Sequence, residues 1–156
     1  MRALIQRVTR ASVAIGGKVH QSIGPGLVIL LGVAQGDTDE DAAALASRIP
    51  QLRIFEDRDG KMNLSGRDAG AEYLVVSQFT LCADLSRGRR PGFETAAPPD
   101  AARRIYERFA SEMSRSCPVV KTGVFGAYMV VSLDNDGPVT FLLDTRALSP
   151  EKAPAP

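Results

Sequence analysis

The chain has 156 residues, a formal net charge of +1 and a composition that is 44% hydrophobic and 24% charged, which suits one globular domain with one core. The near-neutral balance excludes the global basic field common in DNA-binding domains. The longest apolar run, about Leu27 to Ala34, falls far short of the roughly 20 residues that span a membrane.

The opening Met1 to Arg7 carries no long apolar region or cleavage pattern, so the cytoplasm is the expected location. Ala3 to Ile15 is rich in β-branched and aliphatic residues and predicts a strand. Gly16-Gly17 is a two-residue hairpin signal, and Lys18 to Ile23 returns as a second strand. After the turn Gly24-Pro25-Gly26, Leu27 to Val33 predicts a buried strand. Thr38 is the expected N-cap of a first helix with acids in its first turn, Leu45 and Ile49 on its inner face, and Pro50 at its end. Leu52 to Phe55 reads as a short strand, Asp57 to Gly60 as a turn, and Met62 and Leu64 as packing residues. Tyr73 to Ser77 is a strand that runs into a long segment, Gln78 to Pro98, too rich in Arg, Gly and Pro for regular structure. A loop of that length in a small domain usually serves function. Pro98-Pro99-Asp100 opens a second helix, whose Ile105, Phe109 and Met113 mark its buried face, and Pro118 ends it. Two strands, Tyr128 to Leu133 and Val139 to Leu143, follow. The expected fold is α+β: one domain, residues 1–148, with a curved, barrel-like mixed sheet and outer helices. Residues 149–156, rich in proline, are an expected disordered tail.

Two runs stand out chemically. Ser77-Gln78-Phe79-Thr80-Leu81 ends a strand, and Asn135-Asp136-Gly137-Pro138-Val139-Thr140 lies between two. Neither contains a histidine or a pair of catalytic carboxylates. The single histidine, His20, sits in a hairpin, where a surface role is expected. Cys82 and Cys117 read as free thiols, Cys82 as a small buried hydrophobe. By residue type alone, the first run is either a strand end with Phe79 in the core and Thr80 capping a turn, or an exposed array of main-chain, amide and hydroxyl groups. The second run is either a plain turn or a rigid backbone feature. Arg87, Arg89 and Arg90 cluster after the first run, and Arg103, Arg104 and Arg108 follow on the second helix. They read as solvated faces or as a phosphate contact area.

These runs, together with Ala3-Leu4-Ile5-Gln6-Arg7-Val8, Arg53-Ile54-Phe55 and Gly60-Lys61-Met62-Asn63-Leu64, resemble the D-aminoacyl-tRNA deacylase (D-tyrosyl-tRNA deacylase) family from Met1 to about Leu143. Gly92 stands where that family leads one to expect serine, and Val130 where glutamine is more usual, both outside the central runs. The resemblance implies a homodimeric ester hydrolase that acts on D-aminoacyl-tRNA in chiral proofreading, without metal or organic cofactor and without DNA or membrane partners. It places Ser77, Gln78, Phe79 and Thr80 around the 3′-terminal adenosine and its ester. It implies a cis Gly137-Pro138 pair that enters the partner's active site, with Arg7 bracing it and Met129 on the substrate side. Arg87, Arg89 and Arg90 are the expected tRNA contacts. A threonine nucleophile needs an activating base, and the first run holds none; Asp84 lies four residues further on. Water attack is therefore expected, with the Phe79 N–H as oxyanion donor, a contribution of roughly 3 to 4 kcal/mol. Two rivals are a sister deacylase for L-threonine mischarged on alanine tRNA and a noncatalytic tRNA-binding module.

Overall fold

In the computed structural model, strand β1, Arg2–Ile15, is the hub of the sheet. The description covers residues 1–86 and 88–148; Arg87 and the expected tail lie outside the described residues. The first half of β1 pairs antiparallel with β3, Gly26–Gly32, and its second half with β2, Lys18–Ile23. Its other edge pairs along nearly its whole length with β8, Val130–Asp144. Beyond β3 lie β6, Glu72–Ser77, and β7, Val120–Thr122, both added in parallel. The path then curls back, and Lys121 Nζ on β7 donates to the Ser22 carbonyl on β2 at 2.6 Å. The mixed sheet is thus a nearly closed barrel, with a separate hairpin of β4, Arg53–Glu56, and β5, Met62–Ser65.

Helices α1, Asp39–Arg48, and α2, Pro99–Ser116, pack on each other and on one face of the sheet. The Asp41 carboxylate accepts the Thr38 N–H at 2.9 Å, closing the start of α1 as its sequence anticipates. Leu45 and Ile49 are buried, as are Ile105, Phe109 and Met113. Leu27, Ile29 and Leu31 of β3 join this core, whereas Val28 joins a second cluster with Val8, Val13, Leu74 and Val76. Burial on both faces explains the unbroken apolar runs of β3 and β6. Among the described residues, a third and short helix, α3, Thr145–Leu148, ends the fold.

The chain departs from the sequence reading in four places. The two C-terminal strands are one strand, β8, from which residues 136–139 bulge out: Val8 pairs with Asn135 and Gln6 already with Thr140. The Asn135 side chain closes this excursion. Its Oδ1 accepts the Val139 N–H at 2.9 Å, and its Nδ2 donates to Thr140 Oγ1 at 2.9 Å. The strand then resumes on the same edge of β1 instead of folding back as a hairpin. Met62 is exposed, since β5 borders only β4. The long segment after β6 contains one 3-10 turn, Phe79–Cys82. Strand β7 and helix α3 are too short to show a period.

Parallel pairing of β3 with β6 requires a very close backbone approach at Gly26, opposite Glu72. A Cβ there would collide with the Glu72 carbonyl oxygen and stand 2.7 Å from its carbon and nitrogen. Gly26→Ala is expected to cost more than about 2 kcal/mol in urea unfolding, because main chain must move to make room. An unchanged midpoint would show that the two strands can separate at this point freely.

Candidate functional site

A cavity of about 480 Å³ opens at the carboxyl ends of β3 and β6. Ser77, Gln78 and Phe79 form one wall, and Pro99, Ala102 and Tyr106 of α2 face them. Phe125, Tyr128 and Met129, in the segment that leads into β8, complete the enclosure. The Gln78 N–H donates to the Leu31 carbonyl at 2.8 Å, which pins the end of β6 against β3. At Phe79 the backbone turns into the 3-10 segment. The first N–H groups of a helical turn have no acceptor inside it, so the Phe79 N–H begins its turn beside the cavity.

Phe79 is not a core residue: it is 58% exposed. The change from strand to 3-10 turn takes its ring off the sheet, and it rests instead on Phe93, with centroids 4.9 Å apart. The segment from Gln78 to Pro98 therefore leaves the cavity at Phe79 and returns to it at Ala96 and Ala97. The return is fixed by Ala97 N–H donating to Val33 at 3.0 Å and Gln35 N–H donating to Thr95 at 2.9 Å.

Among the described residues, no base stands ready for a side-chain nucleophile. Thr80 is exposed, and its Oγ1 accepts from Gln78 Nε2 at 2.5 Å. The Asp84 carboxylate is held below its ordinary range by its hydrogen bonds from Ser86, and it accepts the Ser86 N–H at 2.9 Å within its own loop. Burial pushes the Cys82 thiol up, which keeps it protonated and inert, as expected from its sequence setting. Tyr106 lines the cavity, but burial and then the nearby Glu107 charge push its phenol up to about 12. It remains neutral in the physiological range and donates to the Val75 carbonyl at 3.0 Å. What the cavity offers is main-chain groups, one amide, one serine hydroxyl, the Tyr128 phenol at its exposed side and otherwise apolar walls.

Gly137 and Pro138 belong to a second cluster and are not among the residues lining their own chain's cavity. Their peptide bond is cis, as the resemblance implies. Gly137 has φ +124°, and a Cβ there would lie 2.7 Å from Val139 Cγ2 and 3.4 Å from Arg7 Nη2. Both the dihedral and the space demand glycine. Arg7 lies under the bulge and is 4% exposed, not a solvated strand arginine. Its Nη1 donates to the Ile54 carbonyl at 2.8 Å and its Nε to the Asp136 carbonyl at 3.3 Å. The same guanidinium pairs with the carboxylates of Asp136 at 3.1 Å and Glu56 at 3.3 Å.

The structure thus brings together Ser77, Gln78, Phe79 and Met129 around the cavity and leaves Thr80 beside it. Arg7, Gly137 and Pro138 make the separate projecting cluster. Arg89 and Arg90 are exposed on the long loop, and Arg87 lies outside the described residues. Sequence reasoning missed the aromatic walls. Tyr106 follows Ile105 on the edge of the α2 apolar face, a detectable signal; Phe125 and Tyr128 sit in a Gly-rich run that gives none.

A family model described as D-Tyr-tRNA(Tyr) deacylase matches residues 4–144. A D-aminoacyl-tRNA deacylase of Chlorobaculum tepidum is 55% identical over 147 residues, covering 93% of this chain and 97% of its own length. One from Cereibacter sphaeroides is 56% identical over 145 residues, covering 93% and 100%. A solved structure described as c-Myc DNA Unwinding Element Binding Protein superposes with a TM-score of 0.88 at 41% identity, covering 92% of this chain and 98% of that one. A second, described as a probable eukaryotic D-amino acid tRNA deacylase, shares the fold with a TM-score of 0.77 at 17% identity, covering 91% and 97%.

Replacing Arg7 by methionine would keep much of the buried stem while leaving the Ile54 carbonyl unpaired and the bulge unbraced. Arg7→Met is expected to lower stability by about 1 to 3 kcal/mol and to speed hydrogen exchange at the Val139 N–H well beyond the global loss. Exchange that rises only in step with global stability would show that Asn135 alone holds the bulge.

Proposed function

The chain belongs to the D-Tyr-tRNA(Tyr) deacylase family, and from that premise we infer that it hydrolyses the ester bond of D-aminoacyl-tRNA, releasing D-amino acid and tRNA. The observation that carries this reading is the cavity beside Ser77-Gln78-Phe79, which offers hydrogen-bonding main chain and no nucleophile–base pair. An aminoacyl ester is already activated, so a sparse site that orients water and receives charge is sufficient. Water attacks the carbonyl carbon. Charge gathers on its oxygen, where the Phe79 N–H receives it. The ribose 2′-hydroxyl helps to organise the water and lies next to the oxygen that leaves. Ser77 and Gln78 hold the nucleoside side of the ester, and Arg89 and Arg90, with Arg87, approach the phosphate backbone.

The projecting Gly137-Pro138 cluster finds no place in its own chain's cavity lining, which favours its delivery to a second copy. In the proposed homodimer its backbone carbonyls accept the substrate amino group and crowd one side of the α-carbon. Hydrogen fits there and an L side chain does not, while a D side chain points outward. Discrimination then comes from exclusion, and Met129 borders the outward side. Glycine, without a Cβ, escapes the exclusion, so glycyl-tRNA is also a substrate. The activity serves chiral proofreading in translation, and the cytoplasm is the proposed location.

The direct test compares D-alanyl, glycyl and L-alanyl esters on one tRNA at equal enzyme concentration. Rapid D-alanyl cleavage, measurable glycyl cleavage and far slower L-alanyl cleavage are expected. An ordinary apolar pocket distinguishes one methylene by only about 10- to 200-fold, and a backbone clash is expected to exceed that. D-alanyl cleavage with no glycyl cleavage would place chirality in a side-chain pocket instead. Preference for L-threonine on alanine tRNA would establish the sister activity, and tRNA binding with every ester intact would establish a noncatalytic module.

Thr80→Ala separates water attack from covalent catalysis. Losing one supporting hydrogen bond is expected to slow turnover by about three- to tenfold. Trapping an acyl-enzyme on Thr80 would overturn the mechanism.

A further inference from the structure

Helix α2 carries arginines at 103, 104, 108 and 115, and the structure treats one of them differently. Arg104 pairs with Asp39, whereas Arg108 and Arg115 both pair with Glu112 at 2.7 Å. Arg103 is exposed, and its one described partner is aromatic: its guanidinium carbon lies 4.9 Å from the ring centroid of Phe125. That ring lines the cavity, and so do Ala102 and Tyr106, which flank Arg103 on the helix. A guanidinium held over an aromatic ring by a cation–π contact spends none of its N–H donors on a hydrogen-bond acceptor, so they remain for a ligand of matching shape. The position also lies toward the positive end of α2, where the helix dipole gives a cation no help. Stability of the helix therefore does not account for an unpaired arginine here.

We propose that Arg103, held on Phe125 at the cavity rim, binds a backbone phosphate in the single-stranded 3′ end of the tRNA substrate and positions the ester. This inference rests on the deacylase reading. The proposed substrate is esterified on its terminal ribose, and the phosphodiester on the 5′ side of that ribose must stay near the rim when the ester is inside. A planar, always-charged donor pair suits that group. Arg103 is a positioning residue, because it touches neither the ester nor the water.

The test uses two substrates with the same amino acid: the D-aminoacyl-tRNA, and the 3′-O-D-aminoacyl ester of adenosine, which carries no phosphate. Arg103→Gln is expected to raise KM for the tRNA ester on the order of tenfold, the scale of one charged hydrogen bond, with little change in kcat. Cleavage of the adenosine ester should be unaffected. The salt dependence of kcat/KM on tRNA should become shallower by a slope of about 0.7, one single-strand phosphate contact. Arg103→Lys, which keeps the charge and loses the planar fork, is expected to restore the salt slope and only part of the KM. Equal loss on both substrates would overturn the proposal by showing that Arg103 merely supports Phe125. No loss on tRNA would overturn it as well. A wild-type protein that cleaves neither ester would refute the deacylase reading and this inference with it.

Discussion

A buried guanidinium under a bulged edge strand is the contact on which the rest of this structure turns. Arg7 stands in β1, the strand that carries β2 and β3 on one edge and β8 on the other. From there it reaches the β4 strand through Ile54 and the bulge through Asp136. A charge buried this deeply is costly without partners, and pairing offsets little more than that cost. The gain is in geometry. The same cation satisfies a carbonyl on one side and fixes the position of Gly137 on the other, so the projecting pair is held by the rigid centre of the fold. Asp136 and Glu56 are each about half exposed at 47% and 54%, so solvent moderates the ion pairs, and the neutral Ile54 carbonyl is the deepest tie.

The cavity is built on a second constraint, the parallel pair β3–β6. Their close approach at Gly26 and the Gln78–Leu31 hydrogen bond bring the end of β6 to a fixed point, where the chain changes from strand to 3-10 turn. A turn at that point orients N–H groups without any side chain having to be charged. The surrounding groups fit such a site: Tyr106 keeps its proton, Cys82 is buried, and Asp84 serves its own loop. This inventory supports the proposed catalysis by positioned water and a main-chain donor acting on an activated ester.

Much of this was legible from local sequence, and the reasons for the rest are physical. The Gly16-Gly17 hairpin, the Thr38 cap and the spacing of Ile105, Phe109 and Met113 are short-range signals, and each element formed where they place it. The continuity of β8 was not legible. Asn, Gly and Pro serve a hairpin and a bulge equally well, and the choice depends on whether β1 has an edge free for the returning chain. Phe79 stayed open for a similar reason: residue type allows core or surface, and the choice depends on the backbone changing direction at that residue, which sets its ring against Phe93, fourteen positions on. The burial of Arg7 is not visible in local sequence, because its carbonyl partners at Ile54 and Asp136 are distant in it. The resemblance supplied what local pattern could not, namely the cis bond of Gly137-Pro138 and the role proposed for it.

The central claim is that each active site is completed by the Gly137-Pro138 bulge of a second copy, and subunit complementation tests it most directly. Gly137→Val would spoil the bulge through its dihedral and its contacts, whereas Ala127→Trp would fill the cavity from its lining. Each variant alone should be inactive on D-aminoacyl-tRNA. Mixed under conditions that exchange subunits, half the dimers would be hybrids with one intact site, and the account predicts recovery of about a quarter of wild-type activity. Subunit exchange verified by mass with no recovered activity would contradict it, since both defects would then lie in a site made by one chain.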